Sequence, residues 1–204
     1  MALIPELVKS KELRSFNTVL WEWIKVVKQI AATWSWDDCP WWYTERALVS
    51  TLAAGVWNSR GIAFEEYSNA KGRGRERYTG RCDLYIKMGS QEFIAEAKRL
   101  WSQGSRRAKQ IIPKIEEQLS QARTDIKNAQ GEGETKLGIV FTVPIIPKSE
   151  ADEVELLLAE WQNKVKSIQV SSLAWVFPAK TRRLSGDKRD IYIYPGVAIL
   201  IQRL

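Results

Sequence analysis

Histidine is absent from the 204 residues, and no other omission in this sequence excludes as much chemistry. Without it there is no Ser-His-Asp or Cys-His nucleophile pair, no HExxH zinc site, no His-ligated haem and no imidazole general base. Cysteine is nearly absent too. Cys39 and Cys82 are too few for a zinc ribbon, an iron–sulfur cluster or a disulfide framework, and they read as two reduced thiols of a cytoplasmic protein. No apolar run reaches the roughly 18 residues of a membrane span. The opening Met-Ala-Leu-Ile-Pro-Glu-Leu-Val-Lys lacks the charged-then-apolar pattern of a secretion signal. Repeats, low-complexity stretches and a clear interdomain linker are also missing, so a single domain over residues 1–204 is expected. Gly72-Arg73-Gly74 lacks the third glycine of a dinucleotide fingerprint, and nothing matches a Walker A loop. Any polar chemistry then falls to carboxylates, lysines or a hard metal ion.

What is present is a globular composition with a localised charge. Hydrophobic residues make up 45% and charged residues 27% of the chain, enough to bury a sizeable core. The formal net charge is +7, and residues 71–110 carry all of it, with eleven Lys/Arg against four acids. So concentrated a positive field suits a polyanion, nucleic acid first and an anionic membrane second. The backbone contacts expected from this window are Arg73, Arg75, Arg77, Arg81, Arg99, Arg106, Arg107 and Lys109. Lys180, Arg182, Arg183, Lys188 and Arg189 form a second basic stretch. Seven of the ten tryptophans precede residue 61, away from the basic window. They point to core packing, or to a face for a homodimer or protein partner, rather than to base stacking.

Periodicity predicts a helix over residues 10–32, from Leu13, Phe16, Leu20, Ile24, Val27 and Ile30. Thr44 reads as the N-cap of a second helix, closed near Ser59 and Gly61. Ile62–Tyr67, Arg81–Met88, Gln91–Lys98 and Lys136–Val143 read as strands. Pro113 suits the first turn of a helix to about Ala129, with the stripe Ile115, Leu119, Ala122 and Ile126. An acidic helix over 149–163 and strands at 172–177 and 190–202 complete an α/β architecture with a mixed central sheet and flanking helices.

The chemistry concentrates in one hairpin. Gly89-Ser90 fits a two-residue type II′ loop, which pairs Met88 with Gln91 and makes paired numbers sum to 179. Lys87 then faces Glu92, and further down the ladder Asp83 lands opposite Glu96, about 5 Å away. Lys98 shares the face of Glu96. Leu84, Ile86, Met88, Phe93, Ala95 and Ala97 fill the other face as core. Two opposed carboxylates need a cation between them, and oxygen ligands of this kind suit Mg²⁺.

Gly80-Arg81-Cys82-Asp83 in one strand and Glu96-Ala97-Lys98 in the next resemble the PD-(D/E)XK nuclease superfamily, with its restriction-endonuclease-like fold. The match covers about 43–143 in the order αβββαβ, leaving 1–42 and 149–204 as elaborations. Cys82 stands where the family name has proline. The resemblance implies a Mg²⁺-dependent endonuclease acting on nucleic acid, DNA before RNA, with no membrane partner and with Mn²⁺ as substitute. Asp83 and Glu96 bind metal, Lys98 positions the attacking water, and Glu45 of the preceding helix completes the catalytic and metal-binding set. Each residue also has an ordinary role open to it. Glu45 suits a helix N-terminus, Asp83 and Glu96 could be solvated strand acids, and Lys98 an edge-strand lysine. The alternative is a catalytically silent nucleic-acid-binding or protein-interaction module on the same fold.

Overall fold

The computed structural model describes residues 2–71, 78–104, 110–129, 134–186 and 189–204. Its elements are β1 (Glu6–Ser10), α1 (Phe16–Thr33), α2 (Glu45–Asn58), β2 (Ile62–Lys71), β3 (Tyr78–Met88), β4 (Gln91–Gln103) and α3 (Ile111–Lys127). Then follow β5 (Thr135–Pro147), α4 (Val154–Ser167), β6 (Ser172–Val176), β7 (Tyr192–Ile193) and β8 (Val197–Arg203). The strands form one mixed sheet in the order β1-β6-β8-β5-β4-β3-β2, with β7 on the end of β5. β2, β3 and β4 form an antiparallel meander, and β4 pairs parallel to β5 through the α3 crossover. Four helices and a mixed sheet bear out the α/β expectation.

The layers follow from side-chain alternation. Leu137, Ile139, Phe141 and Val143 of β5 pack under α1 and α2, while Val140 packs with α3 and α4. A central strand covered on both faces must be nearly continuously apolar, as Thr135–Pro147 is. On β4 the odd residues Phe93, Ala95 and Ala97 enter the α1/α2 core, whereas Ile94 packs beneath Ile126 of α3. The stripe Ile115, Leu119, Ala122 and Ile126 is buried as expected.

Several boundaries differ from the sequence expectation. β1 was not anticipated: its five residues alternate Leu7 and Val8 between the two cores and pair antiparallel with β6. The first helix starts at Phe16 rather than near residue 10, and β4 runs on to Gln103 because β5 accompanies it through Gln103↔Ile145. The acidic segment opens as a 3₁₀ turn, Lys148–Glu153, before α4. Trp23, Trp41, Trp161 and Trp175 are fully buried, while Trp21, Trp34 and Trp57 remain exposed. Cys39 and Cys82 are both free and buried. Among the described residues, no helix is long and apolar enough to cross a membrane.

α1 and α2 meet at Gly55, where an added Cβ would sit 2.9 Å from the Trp23 backbone nitrogen and 3.0 Å from the Val19 carbonyl oxygen. Backbone cannot rotate aside as a side chain can. Gly55→Ala should therefore cost about 1–3 kcal/mol in overpacking, against roughly 1 kcal/mol of regained helix propensity. A net fall in the urea midpoint checks this; an unchanged or raised midpoint would mean the helices part freely.

Candidate functional site

The hairpin register is the one that the Gly-Ser loop demands. Gly89 takes φ 59°, as the first position of a type II′ turn requires, and the pairs run from Met88↔Gln91 to Leu84↔Ala95. There the ladder ends, one pair short of Asp83 and Glu96. The expected direct opposition of these two acids is therefore not formed.

The reason lies one strand outward. The β2–β3 register from Ile62↔Lys87 to Glu65↔Leu84 resumes at Tyr67↔Cys82, leaving the Glu66–Asp83 pair out. Glu66 takes φ 52°, a left-handed conformation that is strained for a residue with a Cβ. Side-chain alternation shifts at this point. Leu84 and Ile86 pack into the α1/α2 core, but Cys82 packs on the opposite face with Ile94, Ile126 and Ala129. Asp83 sits at the changeover, and its Oδ2 accepts a 2.7 Å hydrogen bond from the Ala97 N–H of β4.

Once β3 has left, β4 has donors to satisfy. Gln91 closes the hairpin, so the odd residues of β4 aim their N–H groups toward β3. The first two beyond the ladder are Ala97 and Arg99. Asp83 takes the first at 2.7 Å, and the carboxylate of Glu45, at the start of α2, lies toward the second, which helps hold its charge. Thr44 is the N-cap position of α2, which sets Glu45 in the first turn, and the buried stripe Leu48, Val49, Leu52 and Val56 turns the helix toward the sheet.

Lys98 lies on the α3 face of β4, its Nζ 2.7 Å from Asp125 Oδ2. Burial disfavours its charge, but the bond to Asp125 and the charges of Asp125, Glu45 and Asp83 outweigh burial and raise its pKa. Lys98 is thus a cation at neutral pH. Burial pushes the Glu45 carboxyl above its ordinary value and the Asp83 charge adds to this, while Lys98 and the Arg99 N–H and guanidinium pull it back. Three elements, α2, β3 and β4, therefore bring Glu45, Asp83 and Lys98 together, and α3 contributes Asp125. Sequence reasoning missed Asp125. Its signal was an acid beside Ala122 and Ile126, on the edge of the stripe that covers the Lys98 face.

Glu96 is buried, at 6% exposure, on the strand between Ala95 and Ala97. Among the described residues no three Asp, Glu or Cys side chains are drawn together as a metal-holding group, so the expected trio of Glu45, Asp83 and Glu96 is not gathered around one point. The donors that do gather, Glu45 and Asp83, are hard carboxylate oxygens. One or two carboxylates with waters and substrate phosphate are the usual holding of Mg²⁺, so this donor set fits that ion.

Of the expected phosphate contacts, Arg73, Arg75, Arg77, Arg106, Arg107 and Lys109 lie outside the described residues. Arg81 is exposed, and its guanidinium stands 3.5 Å from Glu66, which also pairs with Arg46 at 3.0 Å. Arg99 corrects the expectation. Its Nη2 donates to the carbonyls of Trp41 at 3.0 Å and Trp42 at 3.3 Å, and its guanidinium lies 4.1 Å over the Trp101 ring. An odd residue of β4 faces the α1/α2 side, so Arg99 ties the tryptophan-rich connector to the sheet rather than extending to a backbone. In the second basic stretch, Arg182 and Arg183 pair with Glu155 and Asp152. No family model, no curated protein and no solved structure matches the chain.

These contacts yield a stability test. Asp83→Ala leaves the Ala97 N–H without its acceptor and should cost about 1–3 kcal/mol, whereas Asp83→Asn keeps an oxygen there and should cost much less. The Glu45 effect has the opposite sign. A carboxyl whose pKa is raised by folding binds its proton more tightly in the native state, so its contribution to stability falls as pH rises from the ordinary carboxylate range to the raised value. In the metal-free protein, Glu45→Gln should melt at the same or a higher temperature than wild type at neutral pH. The difference should shrink on acidification. Thermal melts of the three variants check both signs.

Proposed function

We propose that this protein is a metal-dependent nuclease of the PD-(D/E)XK type, hydrolysing phosphodiester bonds of nucleic acid and most readily those of DNA. One observation carries the reading: Glu45, Asp83 and Lys98 converge where β3 parts from β4. They do so within the succession α2-β2-β3-β4-α3-β5 that the resemblance calls for. The absence of histidine supports it as well, because this chemistry needs carboxylates and a lysine only.

Asp83 and Glu45 would hold Mg²⁺. The bound ion supplies Lewis-acid polarisation of the phosphate and lowers the pKa of a coordinated water. The chain's own residues orient and stabilise. Lys98 Nζ, protonated and anchored by Asp125, donates a hydrogen bond to the attacking water and offsets negative charge developing on the phosphate oxygens. The Asp83 carboxylate is fixed by the Ala97 N–H, so it need not reorganise as charge moves. Cationic side chains of residues 71–110 supply a sequence-independent hold on the phosphate backbone.

Two measurements test this. Wild-type protein incubated with supercoiled, linear and single-stranded DNA and with RNA, in Mg²⁺ or Mn²⁺, should cut DNA. Lys98→Ala should lose cleavage by about 10²-fold or more while metal-free binding stays nearly intact. Undiminished cleavage by that variant removes Lys98 from the mechanism, and binding without any cleavage by wild type returns the silent module. Separately, Mg²⁺ should raise the wild-type melting temperature in a concentration-dependent way, because it binds only the folded site. Asp83→Asn should lose most of that response; equal responses would sink the metal site.

A further inference from the structure

We propose that Phe64, Tyr67 and Tyr85 form a stacking surface for unpaired nucleobases, which makes single-stranded nucleic acid the preferred ligand of this face. The inference deepens the nucleic-acid reading above and rests on it. The three rings lie together on β2 and β3. Tyr85 is 6.1 Å from Phe64 at an interplanar angle of 19°, and 4.8 Å from Tyr67 at 27°. Phe64 and Tyr85 are cross-strand partners, while their neighbours Ala63, Leu84 and Ile86 turn into the α1/α2 core. The rings therefore stand on the α3 face. The left-handed Glu66 shifts the alternation of β2, so that Tyr67 joins Phe64 on this face although the two are three positions apart.

Among the described residues, the face is only partly covered at the rings. Ile126 and Ala129 cover Cys82 and Ile94 and reach the flank of Tyr85. Phe64 beyond them is 52% exposed, although it is a large apolar side chain. Its neighbour Tyr85 is held in place. The Tyr85 hydroxyl lies against Glu92, which takes Lys87 Nζ at 2.6 Å. A ring already fixed gives up little freedom when a base stacks on it.

Charge selects the occupant. β3 and β4 lie in the window of residues 71–110, which carries the whole net charge of +7. Aromatic faces on a chain segment with so large a positive excess match a polyanion that offers flat π surfaces, and bases offer them only when unpaired. The rings also share the face of the candidate site. Tyr85 pairs with Ile94, and Lys98 follows four residues along the same strand on the same side, about 13 Å away at strand rise.

The experiment needs no catalysis. In EDTA at fixed ionic strength, anisotropy is read on labelled oligothymidylate, on an abasic deoxyribose-phosphate oligomer of equal length, and on a duplex. Oligothymidylate should bind wild type more tightly than the abasic oligomer, since the two differ only in bases. Phe64→Ala should weaken oligothymidylate binding about 5- to 150-fold and leave the abasic and duplex affinities unchanged. Phe64→Leu, which keeps apolar bulk without a π face, should behave like Phe64→Ala, and Phe64→Trp should retain binding. Equal affinity of wild type for the thymidylate and abasic oligomers overturns the proposal, as does an equal loss on all three ligands in Phe64→Ala. A base-dependent preference in a protein that cleaves nothing upholds the stacking surface and defeats the nuclease reading alone. No binding to any of the three defeats both.

Discussion

Everything at the candidate site depends on backbone donors that lose their strand. A buried N–H must be bonded, and where β3 leaves β4 the N–H groups of Ala97 and Arg99 have no carbonyl in the ladder to receive them. Asp83 takes the first of those places, and Glu45 lies toward the second. The requirement is structural, but its result is chemical. Two carboxylates from different elements are brought to successive same-side positions of one strand, about 7 Å apart at the donors. Any loss of the strand parting would close the ladder and release both. The left-handed Glu66, which breaks the β2–β3 register opposite Asp83, is thus part of the site although its own side chain pairs with Arg46 and Arg81.

The electrostatics balance around the same gap. Glu45 and Asp83 repel one another, and burial adds to the cost of ionising Glu45. Lys98 stands between the pair and Asp125, which draws its ammonium group toward α3 and keeps it charged. On the other side of β4, Arg99 supplies a second cation from within the tryptophan-rich layer, where its guanidinium is lodged between the Trp41 and Trp42 carbonyls and the Trp101 ring. β4 therefore carries alternate cations toward opposite layers, both electrostatically felt by Glu45.

Much of this was legible in the sequence because local rules governed it. The Gly89-Ser90 loop sets the register of β3 and β4, and the stripe of α3 marks its buried face. Thr44 marked the start of α2. The Asp83–Glu96 opposition failed because register was extended as if strands stay paired, and the Glu66 distortion that ends the pairing has no propensity signal. Arg99 was misread because its face alternates with that of Lys98, so proximity to a basic run said nothing about direction. β1 was missed because five residues with a mixed pattern become a strand only when β6 offers them an edge.

The sheet order has a consequence for how the chain is made. β5, a central strand buried along most of its length, pairs on one side with β4, which precedes it, and on the other with β8, more than 50 residues later. β1 waits longer still, since its partner β6 comes more than 160 residues after it. During vectorial synthesis the β2–β4 meander can close early from neighbouring segments, while one edge of β5 stays open until β8 emerges. Such high contact order slows folding and leaves an apolar edge available to other chains. Nascent chains arrested between β5 and β8 are the stage at which this protein most needs a chaperone.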